Sequence, residues 1–251
     1  MPTKRLLTYA DGDIKTMGNT GKQTAGKITS GLAPGTLALK TVDFVQEQLP
    51  FWRDDPSRPD EQSENKLNLQ LCKFLNAKSK DDFPIVRFEH EEYQSDRRSV
   101  DFSASPVTEI TIGASLYTIY DPVIVFECKR LPAPSPDREK EYVTGGIKHQ
   151  SGGIQRFKLG LHGANHDIAA MIGYLQKGSA FDWYDEINKW IKELSNGTLA
   201  DVCVWNISEM LEQLQEDSSK GIANCRSTHD RSGSEQSNEI VIHHLWITMH
   251  M

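Results

Sequence analysis

Nine residues constrain this chain more than any others: VIVFECKRL, from Val123 to Leu131. Val123, Ile124, Val125, Phe126 and Cys128 read as a buried strand, yet Glu127 and Lys129 are set into the run. Residues two apart on a strand project to the same face. Acid and base therefore stand side by side, while Phe126 and Cys128 point the other way into packing. Taken alone, an ion pair at a strand end accounts for so common a tripeptide. The rest of the chain decides whether it is more.

The surrounding pattern alternates between helical and strand periods. SENKLNLQLCKFLNAK predicts a helix with Ser63 as N-cap and Leu67, Leu71, Phe74 and Leu75 as its apolar stripe. Glu64 lies three residues before Leu67, so it falls on the buried side. A shorter helix is predicted over TLALKTVDFVQEQL, ending before Pro50. FPIVRFEHEEYQ and RRSVDFSAS read as two strands joined by a charged hairpin, and SLYTIYDPVIVFECKRL as a third. After a proline-rich break, YVTGGIKHQSGGIQRFKLGLHG reads as a glycine-interrupted helix. DIAAMIGYLQ reads as a buried strand. AFDWYDEINKWIKELSNG is an amphipathic helix with Tyr184, Ile187, Trp190, Ile191 and Leu194 on one face. DSSKGIANCRSTHDRSGSEQSN reads as a loop, and EIVIHHLWITM as a closing strand. This order predicts an α/β fold: a central mixed β-sheet flanked by helices. Residues 1–36, rich in Gly, Thr and Lys, read as a flexible arm ahead of a single domain over 37–251.

Composition excludes some classes of function. Hydrophobic residues are 37% and charged residues 25% of 251, a soluble balance with enough apolar residues for a core. No stretch approaches the roughly 20 apolar residues of a membrane helix, and no secretory signal is evident, so a cytoplasmic protein is expected. The net charge of −7 argues against a broad basic surface, though not against a local basic cleft. Cys72, Cys128, Cys203 and Cys225 show no C-x-x-C spacing and read as reduced thiols; a zinc set of Cys203, Cys225 and His229 lacks a fourth ligand.

Two further acids join the pair. Asp101 lies between Val100 and Phe102 on the strand expected beside Glu127, an odd place for a carboxylate unless something holds it. Glu64 faces the core from the preceding helix. Asp121 is a decoy: it is six residues before Glu127 in the same segment and cannot supply a ligand from the adjacent strand.

The order of Glu64 in SENKLNLQL, Asp101 in SVDF, Glu127 and Lys129 in VFECK, and Gln155 in GGIQRF resembles the PD-(D/E)XK nuclease superfamily, with its restriction-endonuclease-like core, over about residues 60–195. Val100 stands where the family name has proline. The resemblance implies a magnesium-dependent nuclease, with manganese as a substitute ion. Asp101 and Glu127 would be its main ligands, assisted by Glu64 and the Cys128 carbonyl. Lys129 would act on the attacking water, and Gln155 would be a further catalytic residue. Magnesium favours hard oxygen ligands, which suits such a set.

Arg97 and Arg98 at the hairpin, Arg156 beside Gln155, and Arg231 in STHDR are candidate nucleic-acid contacts, each with a solvated turn, helix face or loop as the plain alternative. His243 and His244 alternate faces, so at most one joins a site. DNA is the expected substrate, with bacterial defence or restriction the setting implied by analogy and a partner protein the implied helper. The competing reading is a catalytically idle nuclease fold that serves binding or assembly.

Overall fold

The computed structural model describes residues 35–94, 98–112, 115–231 and 238–250. The predicted N-terminal arm therefore lies almost wholly outside the described residues, as does Arg97. Helices α1 (Thr36–Arg53) and α2 (Glu64–Asp82) come first, then strands β1 (Val86–Tyr93) and β2 (Ser99–Pro106). A small hairpin of β3 (Ile110–Ile112) and β4 (Ser115–Tyr117) precedes β5 (Ile124–Leu131). A 3-10 helix (Pro136–Tyr142) and two short helices, α3 (Gly146–His149) and α4 (Gly153–Lys158), lead to β6 (Ile168–Leu175) and α5 (Ala180–Ser195). A second 3-10 helix (Ile207–Glu209), β7 (Gln215–Asp217), β8 (Ile222–Asp230) and β9 (Glu239–Thr248) complete the chain.

Seven strands form one mixed sheet in the order β1-β2-β5-β6-β9-β8-β7. The β5–β6 and β6–β9 pairs are parallel, and the outer pairs antiparallel. This is the predicted α/β class, with β5 near the centre. On one face α1 and α2 pack Val45, Leu49, Trp52, Leu67 and Leu71 against Phe102, Phe126, Ile172 and Tyr174. On the other, α4, α5 and the first 3-10 helix pack Tyr142, Phe157, Ile187, Trp190 and Ile191 against Val125, Met171, Ile242 and Trp246. Each fully buried side chain of this kind contributes about 1.5–3 kcal/mol relative to exposure.

Helix α5 starts where its sequence says it should. Ser179 Oγ accepts from the Asp182 backbone N–H, and Asp182 Oδ2 accepts from the Ser179 N–H, a reciprocal cap. Its buried stripe is Trp183, Ile187, Trp190, Ile191 and Leu194; Tyr184 is displaced to the edge, where its hydroxyl donates to the Leu211 carbonyl.

Three expectations are corrected. Helix α1 does not stop before Pro50 but runs through it to Arg53, because Trp52 is buried against Tyr174, with ring centroids 5.6 Å apart. That burial offsets the one helix hydrogen bond a proline cannot donate. The long glycine-containing helix is instead split, since Gly146 (φ 72°) and Gln150 (φ 45°) leave the helical region. The polar stretch read as a loop contains β8, whose Ser227 and His229 are buried by pairing with one another rather than by being apolar.

Candidate active site

The two strands that carry the acids part company at the site. β2 and β5 are in register only from Phe102↔Phe126 to Ala104↔Ile124. The pairing of β2 with β1 skips Asp101 opposite Glu91, whose φ of 58° kinks the edge strand. Asp101 thus sits where the ladder fails on both sides. Its Oδ2 accepts from the Cys128 N–H at 2.6 Å, the bond a β2 carbonyl would otherwise make. The N–H and C=O of one strand residue point to the same side, so the Cys128 carbonyl also faces this gap.

Continuing the register one step sets Asp101 opposite Glu127, on the face shared with Lys129. Lys129 Nζ lies 2.7 Å from Glu127 Oε1 and 3.6 Å from Glu64 Oε1. Glu64, the first residue of α2, reaches across to accept from the Arg130 N–H at 3.0 Å. The four residues expected to converge, Glu64, Asp101, Glu127 and Lys129, are therefore together at the opening between β2 and β5.

The electrostatics follow from this crowding. Burial, and next the charge of Glu127, push the Asp101 carboxyl up to about 8. Burial also disfavours charge on Glu127, but Lys129, His162 and Arg156 outweigh it and hold the carboxyl well below the usual range. Lys129 is likewise opposed by burial, yet Glu127, Glu64 and Asp101 hold its ammonium above the ordinary lysine value. In this metal-free arrangement the ammonium form of Lys129 is the favoured one, paired with Glu127 and facing Glu64.

Two partners of Glu127 come from beyond the sheet. Arg156 Nη1 lies 2.9 Å from Glu127 Oε1, the oxygen that Lys129 also reaches. His162 Nδ1 lies 3.0 Å from Glu127 Oε2, close but without the alignment of a hydrogen bond. His162 is fully buried, and its sequence context, LHG, carries no functional signal. What brings it here is Gly163, at φ 58°, where a Cβ would stand 3.0 Å from the Val125 side chain.

Gln155 is not part of the site. Its Oε1 accepts from the Gly145 and Gly152 N–H groups, and its Nε2 donates to the Gly146 carbonyl and to Asp201. The amide closes the neck of the 145–152 loop and has nothing left for a substrate. Arg231 is also corrected: buried, it donates to the carbonyls of Gly163 and Ala164 and so braces the loop behind His162. Arg98 closes the β1–β2 turn through its carbonyl, which accepts from Gln94 N–H at 2.7 Å. The decoy Asp121 caps a turn at Thr118.

His229 belongs to a different construction. Ser227 Oγ lies 2.6 Å from His229 Nε2, and His229 Nδ1 lies 3.0 Å from Glu209 Oε2. This has the spacing of a nucleophile, a base and an orienting acid, but all three are buried and no substrate reaches the hydroxyl. Burial keeps His229 and His244 neutral. Only one proton arrangement then satisfies every atom. Trp246 donates to Tyr142, Tyr142 to His244 Nδ1, His244 Nε2 to Ser227, Ser227 to His229 Nε2, and His229 Nδ1 to Glu209. Lys158 completes it, 2.5 Å from Glu209. The network ties the helical layer to β8 and β9. The zinc set of Cys203, Cys225 and His229 is not assembled: Cys203 Sγ faces the Gln155 carbonyl.

Among the described residues no group of three or more His, Cys, Asp or Glu side chains is arranged to hold a metal ion. Each carboxylate already has a partner: Asp101 the Cys128 N–H, Glu64 the Arg130 N–H, and Glu127 its two cations. By type, three carboxylates and a carbonyl suit a hard divalent cation, provided an ion pair on Glu127 opens. No helix among the described residues is long and apolar enough to cross a membrane. Comparison with known proteins finds no family model, no curated protein and no solved structure that matches this chain.

Proposed function

We propose that this protein is a metal-dependent nuclease that hydrolyses phosphodiester bonds, with DNA as the expected substrate. One observation carries the reading: Asp101, Glu127 and Lys129 meet where β2 and β5 part, with Glu64 beside them. A half-buried carboxylate bonded to a bare strand N–H, next to a fully buried carboxylate and a buried ammonium, is a costly arrangement that a purely structural strand end does not require.

Glu64, Asp101, Glu127 and the Cys128 carbonyl would hold the ion. Magnesium, were it bound there, would supply positive charge beside the attacked phosphate and would acidify water. Lys129, held as an ammonium, donates hydrogen bonds to the attacking water or to the phosphate oxygens and offsets charge that develops there. Water adds at phosphorus as the bond to the departing oxygen breaks; the proton the water loses passes to solvent, and the departing oxygen takes one from solvent.

The two ion pairs on Glu127 Oε1 favour a second reading, an idle fold used for binding or assembly. A time course on plasmid, linear duplex, single-stranded DNA and RNA, with and without magnesium, separates the two. Lys129→Ala is expected to slow cleavage by roughly a hundred- to thousand-fold without weakening metal binding. Glu127→Ala is expected to remove both. Cleavage by Lys129→Ala at the wild-type rate makes the lysine structural, and a wild-type protein that cuts nothing with any metal leaves the assembly reading.

A further inference from the structure

Glu127 Oε1 accepts from two cations, Lys129 Nζ at 2.7 Å and Arg156 Nη1 at 2.9 Å. A carboxylate oxygen offers two lone-pair directions, so this oxygen is full. The other oxygen, Oε2, faces the buried His162 ring at 3.0 Å, so a third cation that arrives from the side of the partly exposed Arg156 meets Oε1 and must displace one of the two. They are not equally held. Lys129 is buried, with Glu64 Oε1 3.6 Å away on its other side. Stripping it of Glu127 strands a charge in the interior, a large cost. The Arg156 side chain is 27% exposed, and among the described residues its only other side-chain bond is a long one, 3.4 Å, from Nε to the Gln150 carbonyl. Arg156 is the cation that yields.

Its backbone cannot follow. Gln155 and Phe157 on either side are fully buried, the first by its bonds to the 145–152 loop and the second in the core. Only the side chain swings, and it swings at the mouth of the site. A guanidinium presents paired N–H groups that match two oxygens of one phosphate, which an ammonium does not.

We propose that Arg156 is a further catalytic residue. It closes Glu127 in the metal-free protein and turns to the non-bridging oxygens of the scissile phosphate when a divalent cation takes its place on Glu127. The second half rests on the nuclease reading; the first does not. No covalent bond changes at Arg156 itself.

The exchange demands effects of opposite sign. Manganese titrated calorimetrically, without substrate, into Arg156→Gln is expected to bind about three- to tenfold more tightly than to wild type, because a competing, partly solvated ion pair is gone. Cleavage by the same variant is expected to fall about a hundredfold. Arg156→Lys is expected to restore the wild-type manganese affinity but only part of the rate, since it keeps the charge and loses the fork. Thermal unfolding checks that the variants fold, and Arg156→Met, which also removes the charge, takes the place of Arg156→Gln in both assays if that variant does not. Manganese affinity that is unchanged or weaker in Arg156→Gln overturns the exchange, and an unchanged cleavage rate overturns the catalytic role. A wild-type protein that cuts nothing sinks the nuclease reading, and the titration, which needs no turnover, still decides the exchange.

Discussion

The Lys158–Glu209 pair is the most exacting test of how the two layers are joined. Both side chains are buried, their charged atoms are 2.5 Å apart, and Lys158 Nζ sits 4.9 Å over the Trp205 ring. Glu209→Gln removes the negative charge and leaves the Lys158 ammonium with the Asp230 carbonyl, the Trp205 ring face and a neutral amide. An uncompensated buried charge of this kind costs about 3–5 kcal/mol. Lys158→Met strands Glu209 with His229 and the weak Asp230 N–H contact at 3.4 Å, and is expected to cost a similar amount. The double variant contains neither charge. His229 Nδ1 can still donate to the side-chain amide oxygen that Glu209→Gln introduces, so the loss is that of one or two ordinary hydrogen bonds, about 1–2 kcal/mol. The singles therefore do not add, and the coupling energy is about 3 kcal/mol or more. Urea unfolding followed by circular dichroism and tryptophan fluorescence at pH 7 measures all four proteins. Burial opposes the charge on Glu209, but His229 and Lys158 outweigh it and keep its folded pKa depressed. The stabilisation is thus present above the ordinary glutamate range and fades as pH falls through the depressed folded value, so the gap to Glu209→Gln narrows in acid. Singles that cost under about 1 kcal/mol each and add would show that water reaches the pair and that the network is not what bolts the layers.

The remaining predictions concern the site. Burial and the charge of Glu127 push the Asp101 carboxyl up to about 8, so the folded metal-free protein is expected to hold a proton that the unfolded chain has lost, and stability to fall with pH between about 4 and 8. Asp101→Asn, which still accepts from the Cys128 N–H, is expected to flatten that slope and to be more stable than wild type at pH 8 in urea titrations; parallel slopes refute it. Gln155→Ala leaves the Gly145 and Gly152 N–H groups without an acceptor, at about 1–3 kcal/mol each. Hydrogen exchange at those two amides is expected to quicken, and protection equal to wild type would show that the loop holds itself.

How much of this was legible in the sequence follows from the range of the interactions. Parity along one strand is local, so VFECK by itself placed Glu127 and Lys129 on one face, and helical spacing placed Glu64 on the buried side of α2. A cap and its stripe are local too, and α5 starts beside Ser179 within the segment read as a helix. The sequence thus determined the α/β class and the four side chains that converge. The tertiary structure decided what lies far along the chain. His162 reaches Glu127 only because Gly163 lets the chain pass close to Val125, and no spacing announces that. Gln155 and Arg156 are neighbours with opposite fates, one turned into a loop neck and the other to the acid, because a short helix aims adjacent side chains about a hundred degrees apart. β8 hid as a polar loop because Ser227 and His229 satisfy each other, with His244 of β9 as the third partner, rather than by apolar burial. Periodicity reports which residues avoid water; it does not report polar groups that find partners inside, and those partners exist only once the chain has folded.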